Sequence, residues 1–324
     1  MPAYVAFGAG RLARTVHALV ITNMYPSRAR PALGSFVRDQ VEALRRIPDV
    51  DVEMFAFSPG SYRAYGRAGR ALRRRYGGDR FDVVHAHFGL TGWPALAVPA
   101  RAHAVTFHGT DLVHPRSRAI SLGAVPLLDL VATVSEPLSR ELPAWASRFA
   151  TTAVLPAGVD LHRFRPIPRA EARSALGLDP RAQCLLFPAD PRRPEKRHDL
   201  AVDAAGTAPL LTLGNVEPSQ VPLWVNAANA VLVPSSREGY GLAVLEALAC
   251  DVPVLATPVG IAPEALDGIA GAYCGPYDPE TWHGALQPHL AAADPRIEGR
   301  ARAERYSTDA MAARVMTAWR GLLG

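Results

Sequence analysis

The chain has 324 residues, which is too long for one ordinary hydrophobic core and therefore predicts two domains. A hydrophobic fraction of 49% and a charged fraction of 20% exclude an intrinsically disordered chain, and three scattered cysteines without CxxC spacing exclude a disulfide framework and a structural zinc site. The net charge of +5 is unevenly divided, since residues 1–165 contain 21 Lys and Arg against 12 Asp and Glu, which indicates either an anionic partner or an ordinary solvated surface.

No apolar stretch reaches membrane-spanning length. The best candidate, residues 122–134, is too short and is interrupted by Asp129. The first twenty residues lack the basic start of a signal peptide and carry Arg11 and Arg14 where such a peptide is apolar. We therefore expect residues 1–15 to be a poorly structured leader, and the sparse cysteines predict a cytoplasmic protein.

In the first half, short β-branched runs alternate with stretches of helical periodicity. A buried strand is predicted at residues 16–21, followed by a helix over residues 34–47 with apolar side chains at helical spacing. Further strands are predicted at residues 50–57, 82–87, 104–107, 130–134 and 153–155. Apolar strands separated by helices indicate a parallel sheet that is covered on both faces.

Arginine recurs at helical spacing between the second and third of these strands. The residues concerned are Arg63, Arg67, Arg70 and Arg74, with Arg73 and Arg75 beside them. One helix face would then be strongly basic. Such a face is either an ordinary exposed surface or a contact for anionic lipid headgroups, and the second interpretation predicts a peripheral association with the inner face of the cell membrane.

A second set of strands is predicted at residues 184–187, 210–213, 230–233 and 253–256. Between the two sets, the proline-punctuated residues 163–169 fit a linker. The chain is thus predicted to form two doubly wound α/β domains. Since open parallel sheets bind ligands beyond the carboxyl ends of their strands, two such domains facing each other would form a cleft there.

The strongest chemical signal begins where the strand at residues 230–233 ends. A loop carries Glu238, Gly239 and Gly241, and a helix that starts near Leu242 carries Glu246 in its first turns. Small residues leave the backbone N–H groups open at a helix N-terminus, which suits a phosphate. Two carboxylates beside it are poor phosphate ligands but good hydrogen-bond acceptors for the hydroxyl groups of a sugar and a ribose.

Glu238 and Glu246, separated by seven residues, resemble the Glu-x7-Glu signature of glycosyltransferase family four, whose members are retaining enzymes of the GT-B type. The resemblance extends from about residue 21 to residue 319. It implies an α/β fold of two Rossmann-like doubly wound domains facing across a cleft. Residues 1–165 would form the acceptor-side domain, residues 166–305 the donor domain, and residues 306–324 a C-terminal helix packing back toward the first domain.

The resemblance also implies roles for individual residues. Glu238 would contact the hydroxyl groups of the donor sugar and Glu246 the ribose, while the backbone of the adjoining turn would hold the sugar and its diphosphate. The residues of that turn are Gly239, Tyr240, Gly241 and Leu242.

Lys196, which is the only lysine in the chain, is the second signal. A compact ammonium group suits a diphosphate leaving group. Family members place a lysine after Pro-Glu for this purpose and an arginine five residues earlier, where this chain has Pro191. Arg192 or Arg193 is therefore the candidate for the missing arginine, and the sequence does not decide between them.

Two further positions in the first half, His108 and Gly34, match family segments, and a pair of histidines ends the strand beside His108. His108 follows the strand at residues 104–107, and the corresponding histidine of relatives lies beside the donor sugar. His85 and His87 end the neighbouring strand; we expect them to face opposite ways, with His87 toward the cleft. Gly34 occupies the first strand–helix loop, where it is either a diphosphate-contacting glycine or a simple helix-start glycine.

The second domain is predicted to be compact, because the chain between Lys196 and Glu238 is short for the family. Its base-binding loop is expected near residues 214–215. Residues 154–160 resemble the family stretch that precedes the linker, with Ala157 in place of the usual asparagine.

No His/Cys cluster has metal-ligand spacing, and the Asp49-Val50-Asp51 triplet enters a strand rather than closing one beside a site. The expectation is a metal-independent enzyme without a cofactor. It would transfer a sugar from a nucleotide-diphosphate donor, with retention, to a glycan, lipid-phosphate or small-molecule acceptor, and nucleic acid is not an expected partner. The alternative is a non-catalytic protein that binds a nucleotide sugar or stabilises a partner transferase.

Overall fold

The structure is a computed structural model that describes residues 15–28, 30–214 and 216–324. The predicted leader lies almost entirely outside the described residues, and so does Asn215 of the predicted base-binding loop. The described residues form two parallel sheets with helices packed against them, which confirms the predicted α/β class.

The first sheet contains six parallel strands in the order β2-β1-β3-β4-β5-β6. Its strands are β1 Val16–Thr22, β2 Val50–Ala56, β3 Phe81–His87, β4 Ala100–Phe107, β5 Leu130–Thr133 and β6 Thr151–Val154. The central strands β1 and β3 are buried along almost their whole length because helices cover both faces of the sheet. The strand order reverses between β1 and β3, which is where such sheets bind ligands.

The described residues of this part of the chain form six α-helices. They are α1 Ser35–Arg45, α2 Tyr62–Tyr76, α3 Gly92–Ala95, α4 Thr110–Val113, α5 Pro115–Gly123 and α6 Glu136–Ser139. Helix α1 begins after Gly34, whose φ is +67°, and a Cβ there would overlap the backbone oxygen of Met24. Glycine is therefore required at this position to start the helix close to the end of β1.

The second sheet has five parallel strands in the order β11-β10-β9-β7-β8. The strands are β7 Leu185–Phe187, β8 Leu210–Thr212, β9 Ala230–Val233, β10 Val254–Ala256 and β11 Tyr273–Cys274. The accompanying helices are α7 Arg169–Ala175, α8 His198–Ala205, α9 Val221–Ala227, α10 Leu242–Ala249, α11 Ala262–Leu266, α12 Pro279–Ala291 and α13 Arg300–Glu304, and α14 Thr308–Leu323 follows them. Here the order reverses between β7 and β9.

The last helix leaves the second sheet and packs on the first. Met311, Val315 and Trp319 of α14 are buried in one cluster with apolar residues of α1 and of the central strands of the first sheet. We call β1–β6, α1–α6 and α14 the first lobe, and β7–β11 with α7–α13 the second lobe. A larger apolar cluster continues from the first lobe into the second.

Polar contacts fix the connection between the lobes. Arg163 donates to both carboxylate oxygens of the buried Asp39 in α1, at 3.1 and 2.5 Å. Arg300 donates to the backbone oxygens of Leu161 and Phe164. The linker is therefore held by the first helix of one lobe and by a late helix of the other.

Within the described parts of the chain, no helix is both long enough and apolar enough to cross a lipid bilayer.

Candidate active site

The carboxyl ends of β7 and β9 bring together the two segments of the second lobe that carry the strongest sequence signals. The loop after β7 ends in a 3₁₀ turn, Pro194–Lys196, and the loop after β9 leads to α10. The backbone N–H of Ser236 donates to the backbone oxygen of Glu195 at 2.9 Å and joins the two loops. The order of the strands thus places Lys196 beside Glu238 at the point where ligands bind in such sheets.

Lys196 and Glu238 form an ion pair with little exposure to solvent. The ammonium Nζ of Lys196 donates to both carboxylate oxygens of Glu238 at 2.6 and 2.7 Å, and the side chains are 16% and 9% exposed. The hydroxyl group of Ser235 donates to Oε1 of Glu238 at 2.7 Å. Because an ammonium group has three N–H bonds, one donor of Lys196 is left for a ligand.

Glu246 lies in α10 and has no hydrogen-bond partner among the residues that the structure describes. Burial raises the pKa of its carboxyl group to about 7, Arg163 and Lys196 act to lower it, and Asp39 acts to raise it further. A half-buried carboxyl group without a partner is a strong acceptor for a ligand hydroxyl group. The contact with ribose stays a prediction.

The first lobe contributes His108, which follows β4. Asp111 organises this loop, because its buried carboxylate accepts hydrogen bonds from the backbone N–H groups of Gly89, His108 and Gly109. Nε2 of His108 lies 3.0 Å from Nδ1 of His87. Burial lowers the pKa of His108 to about 3, so the imidazole is neutral at physiological pH.

The prediction that His85 and His87 face opposite ways is wrong. Their rings stack with centroids 5.0 Å apart and an angle of 11° between the planes, because residues two apart in a strand lie on the same face of the sheet. His85 is held by Thr106 and Trp319, one step further from the carboxyl edge. His87 is the one that reaches His108.

The two lobes contact each other at the site itself. A Cβ at Gly239 would overlap the backbone oxygen of His108, and the hydroxyl group of Ser135 donates to the backbone oxygen of Gly239 at 2.9 Å. Glycine at position 239 therefore permits this approach of the lobes. Beside the contact is a cavity of about 240 Å³, the interlobe cavity, whose lining includes His108, Thr110, Arg193 and Glu238.

The structure distinguishes the two arginines that follow Pro191. Arg192 is 87% exposed, pairs with Asp190 and is absent from the lining of the interlobe cavity. Arg193 lines the cavity and pairs with Glu195. Arg193 is thus better placed to meet a diphosphate bound near Lys196.

The remaining predicted donor-binding residues surround this centre. Gly241, with φ +94°, precedes Leu242 at the first turn of α10. The side chain of Tyr240 is buried in the core, so only its backbone is placed for a ligand at this turn. Gly34 lies two residues before Phe36, whose ring contacts the ring of His108 at 4.9 Å between centroids, so the first strand–helix loop borders the site.

Two polar residues of the site were missed at the sequence level. Asp39 and Arg163 form an ion pair whose charges both act on the carboxyl group of Glu246. Asp39 had no clear signal, because a residue two positions from Val37 and Val41 lies on the opposite side of a helix from them. Arg163 had none either, since its partner lies 124 positions away.

No group of three or more His, Cys, Asp and Glu side chains in the described parts of the chain is arranged to hold a metal ion. The Asp49-Val50-Asp51 triplet lies at the amino end of β2, away from the edge where the ligand-binding loops meet.

Family comparisons divide the chain in the same way as the two sheets do. The model described as Glycosyltransferase Family 4 matches residues 5–163, and the one described as Glycosyl transferases group 1 matches residues 173–291. A D-inositol 3-phosphate glycosyltransferase of Segniliparus rotundus is 29% identical over 90% of this chain and 75% of its own length. A protein of the same name from Actinosynnema mirum is 30% identical over 70% of this chain and 68% of its own length.

Solved structures show the same fold across almost the whole chain. Sucrose-phosphate synthase from Thermosynechococcus elongatus has a TM-score of 0.72 at 20% identity, covering 95% of this chain and 99% of that one. The catalytic domain of starch synthase IV from Arabidopsis thaliana, bound to ADP and acarbose, has a TM-score of 0.71 at 12% identity, with 96% and 100% covered. HepE from Anabaena in complex with UDP-glucose has a TM-score of 0.69 at 14% identity, with 94% and 99% covered. The predicted GT-B fold is confirmed.

Proposed function

This chain belongs to glycosyltransferase family 4, and we propose that it is a retaining, metal-independent enzyme that transfers a sugar from a nucleoside-diphosphate donor to an acceptor hydroxyl group. Its glycosyltransferase activity follows from the family and from the relatives. The observation that carries the finer proposal is the Lys196–Glu238 ion pair, whose Glu238 lines the interlobe cavity together with His108.

The donor is held by groups with separate tasks. Glu246 accepts hydrogen bonds from the ribose, and Glu238 accepts them from the sugar. Lys196, Arg193 and the backbone amides at the start of α10 face the diphosphate. Solved GT-B structures that contain UDP-glucose or ADP support a nucleoside-diphosphate donor for this fold.

In the proposed reaction, the bond between the anomeric carbon and the diphosphate oxygen breaks as the acceptor oxygen attacks from the same face. The departing diphosphate takes the proton of the acceptor hydroxyl group and leaves with the bonding electron pair. Lys196 stabilises the developing negative charge with a donor fixed in place before the reaction. The neutral imidazole of His108 orients the sugar by a hydrogen bond, and no protein side chain has to act as a nucleophile.

The stereochemistry of the product tests this mechanism. We expect nucleotide sugars screened by thermal shift to identify one donor by its large stabilisation. With that donor, NMR of the product should show the anomeric configuration of the donor, and EDTA should leave the rate unchanged. An inverted product, or activity lost in EDTA and restored by Mg²⁺, would overturn the retaining or the metal-independent part of the proposal.

The pH dependence of donor binding tests the role of Glu246. Ribose hydroxyl groups donate to the carboxylate form, so binding lowers a pKa that is about 7 in the free protein and releases a proton. Affinity should therefore rise with pH between 6 and 8, by up to about tenfold overall for one proton. Calorimetry of a nucleotide sugar in two buffers would measure both effects.

Glu246→Gln provides the control for that experiment. The variant has no group to titrate at this position, so the pH dependence and the proton release should both disappear. If the slope persists in Glu246→Gln, another group is responsible and the assignment of Glu246 to the ribose is wrong.

The acceptor side is proposed to receive an anionic molecule, such as a lipid phosphate, an acidic glycan or a phosphorylated small molecule. The first half of the chain carries the positive charge, and relatives are named D-inositol 3-phosphate glycosyltransferases. We further propose a cytoplasmic location with a peripheral contact to the inner face of the cell membrane. The exposed basic face of α2 lies beside the exposed rings of Tyr62 and Trp93, which suits an interfacial contact.

Vesicle binding tests the membrane contact. The protein should sediment with vesicles containing phosphatidylglycerol and not with pure phosphatidylcholine vesicles. Replacing Arg63, Arg67, Arg70 and Arg74 with Gln should weaken binding about a thousandfold, since four surface arginines at about 1 kcal/mol each contribute about 4 kcal/mol. The control replaces the exposed Arg305, Arg314 and Arg320. Equal loss in both variants, or no loss in the first, would contradict the proposal.

A further inference from the structure

We propose that His87 is a positioning residue that fixes the tautomer of His108, so that His108 presents an Nδ1–H donor to the bound sugar. This inference rests on the proposed function of the site. It adds a role for a side chain that itself lies behind the cavity, because His87 is 1% exposed and is not among the residues lining it.

The contact between the two imidazoles admits two arrangements. Nδ1 of His87 lies 3.0 Å from Nε2 of His108, so one of these nitrogens donates and the other accepts. In the first arrangement His87 donates and His108 keeps its own proton on Nδ1. In the second, His108 donates from Nε2, and the proton of His87 moves to its own Nε2.

The other nitrogen of His87 decides between them. Its Nε2 is buried without a hydrogen-bond partner among the described residues. A buried N–H without an acceptor costs the full desolvation of a donor, and folded proteins leave N–H groups unpaired less often than acceptors. The proton of His87 therefore belongs on Nδ1, where it is donated to His108. His108 then carries its proton on Nδ1, for which the described residues supply no acceptor.

A chain of fixed groups behind His87 holds its ring in place. The indole Nε1–H of Trp319 donates to Nδ1 of His85 at 3.0 Å, and an indole nitrogen can only donate. His85 must then carry its proton on Nε2, which lies 2.7 Å from the hydroxyl oxygen of Thr106. His85 in turn stacks on His87. The last helix of the chain thus supports the orientation of a histidine in the site.

The three histidines are uncharged under ordinary conditions, so tautomers rather than charge states are at issue. Burial lowers the pKa of His85 to about 4, and it lowers the pKa of His87 well below its usual value, with His85 and His108 adding to the effect. The ring of His108 also contacts the ring of Phe36, with 4.9 Å between their centroids. Because its ring plane is fixed, the position of its proton determines whether Nδ1 of His108 donates to a ligand or accepts from it.

Nitrogen-15 NMR of histidine-labelled protein tests the tautomer directly. His108 in the ligand-free protein, assigned by loss of its signals in His108→Gln, should show a protonated Nδ1 and an unprotonated Nε2. In His87→Leu, this preference should disappear, and His108 should show a mixture of its two neutral tautomers like that of free imidazole. In His87→Asn, whose amide can donate from nearly the same position, it should be retained. A protonated Nε2 in the unmodified protein overturns the proposal, even if a variant fails to fold.

Kinetics give a second readout. His87→Leu should lower kcat about tenfold to a hundredfold, the cost of a misoriented group in the site. His87→Asn should restore most of it, and thermal stabilisation by the free nucleotide should be unchanged in both. If kcat is normal in His87→Leu, His87 is structural only. Absence of transfer by the unmodified protein would contradict the proposed function, while the NMR result would still decide the tautomer.

Discussion

Replacement of Glu238 by alanine should reduce sugar transfer at least about a thousandfold, as expected when a fixed polar group is lost from the reacting centre. The carboxylate is 9% exposed, accepts from Lys196 and Ser235, and borders the interlobe cavity. Its loss removes the acceptor that we assign to the sugar hydroxyl groups and releases Lys196 from its position. Product formation at saturating donor would measure the effect.

Controls separate this loss of function from loss of structure. Glu171→Ala removes an exposed carboxylate from α7 and should have normal activity. Glu238→Gln keeps the shape and one acceptor oxygen, and should lie between the alanine variant and the native protein. Circular dichroism should show an intact fold in each. Turnover close to normal in a folded Glu238→Ala would refute the assignment of this site.

The sequence predicted the sheets well because each strand is a local apolar pattern. The predicted run at residues 230–233 coincides with β9, and most other strands agree within one or two residues. Strand β6 is displaced toward Thr151 and Thr152, which are exposed at the edge of the sheet and lack an apolar signal. Strand β11 was not predicted, since two residues, Tyr273 and Cys274, are too few to show a period.

The site was predictable where a motif is contiguous and unpredictable where partners are distant. Glu238, Glu246 and Lys196 were identified from local sequence, yet the direct contact between Lys196 and Glu238 spans 42 positions. It follows only from the strand order that makes β7 and β9 neighbours. The Arg163–Asp39 pair depends on a still longer separation and on the packing of α1 against the linker.

The geometry also explains why a lysine serves at position 196. Its ammonium group lies within 2.7 Å of both oxygens of Glu238, and the side chain as a whole is only 16% exposed, so the surrounding space is narrow. A compact ammonium group with rotatable N–H donors can contact a carboxylate and a phosphate at the same time. A planar guanidinium group instead binds best to one partner that matches its two parallel N–H donors. Under the proposed function, a lysine therefore suits position 196 better than an arginine, in a chain that otherwise uses arginine.

Lys196→Ala is accordingly expected to lower kcat about a hundredfold to a thousandfold. The variant loses the charge that stabilises the departing diphosphate and leaves Glu238 buried without a cation, so some loss of stability is expected as well. Lys196→Arg should recover only part of the rate, because it restores the charge without the compact shape. Arg197→Gln, which removes the neighbouring exposed cation paired with Asp199, should be close to normal.

The double variant Glu238→Ala with Lys196→Ala tests whether the two side chains act together. If the two side chains act as one unit, the second replacement should cost little once the first has been made, and the rate of the double variant should approach that of the slower single variant. The double variant should also be more stable than Lys196→Ala, because no unpaired carboxylate remains buried. Losses in rate that multiply would mean that the residues act independently, with their contact only an ion pair of the ligand-free protein.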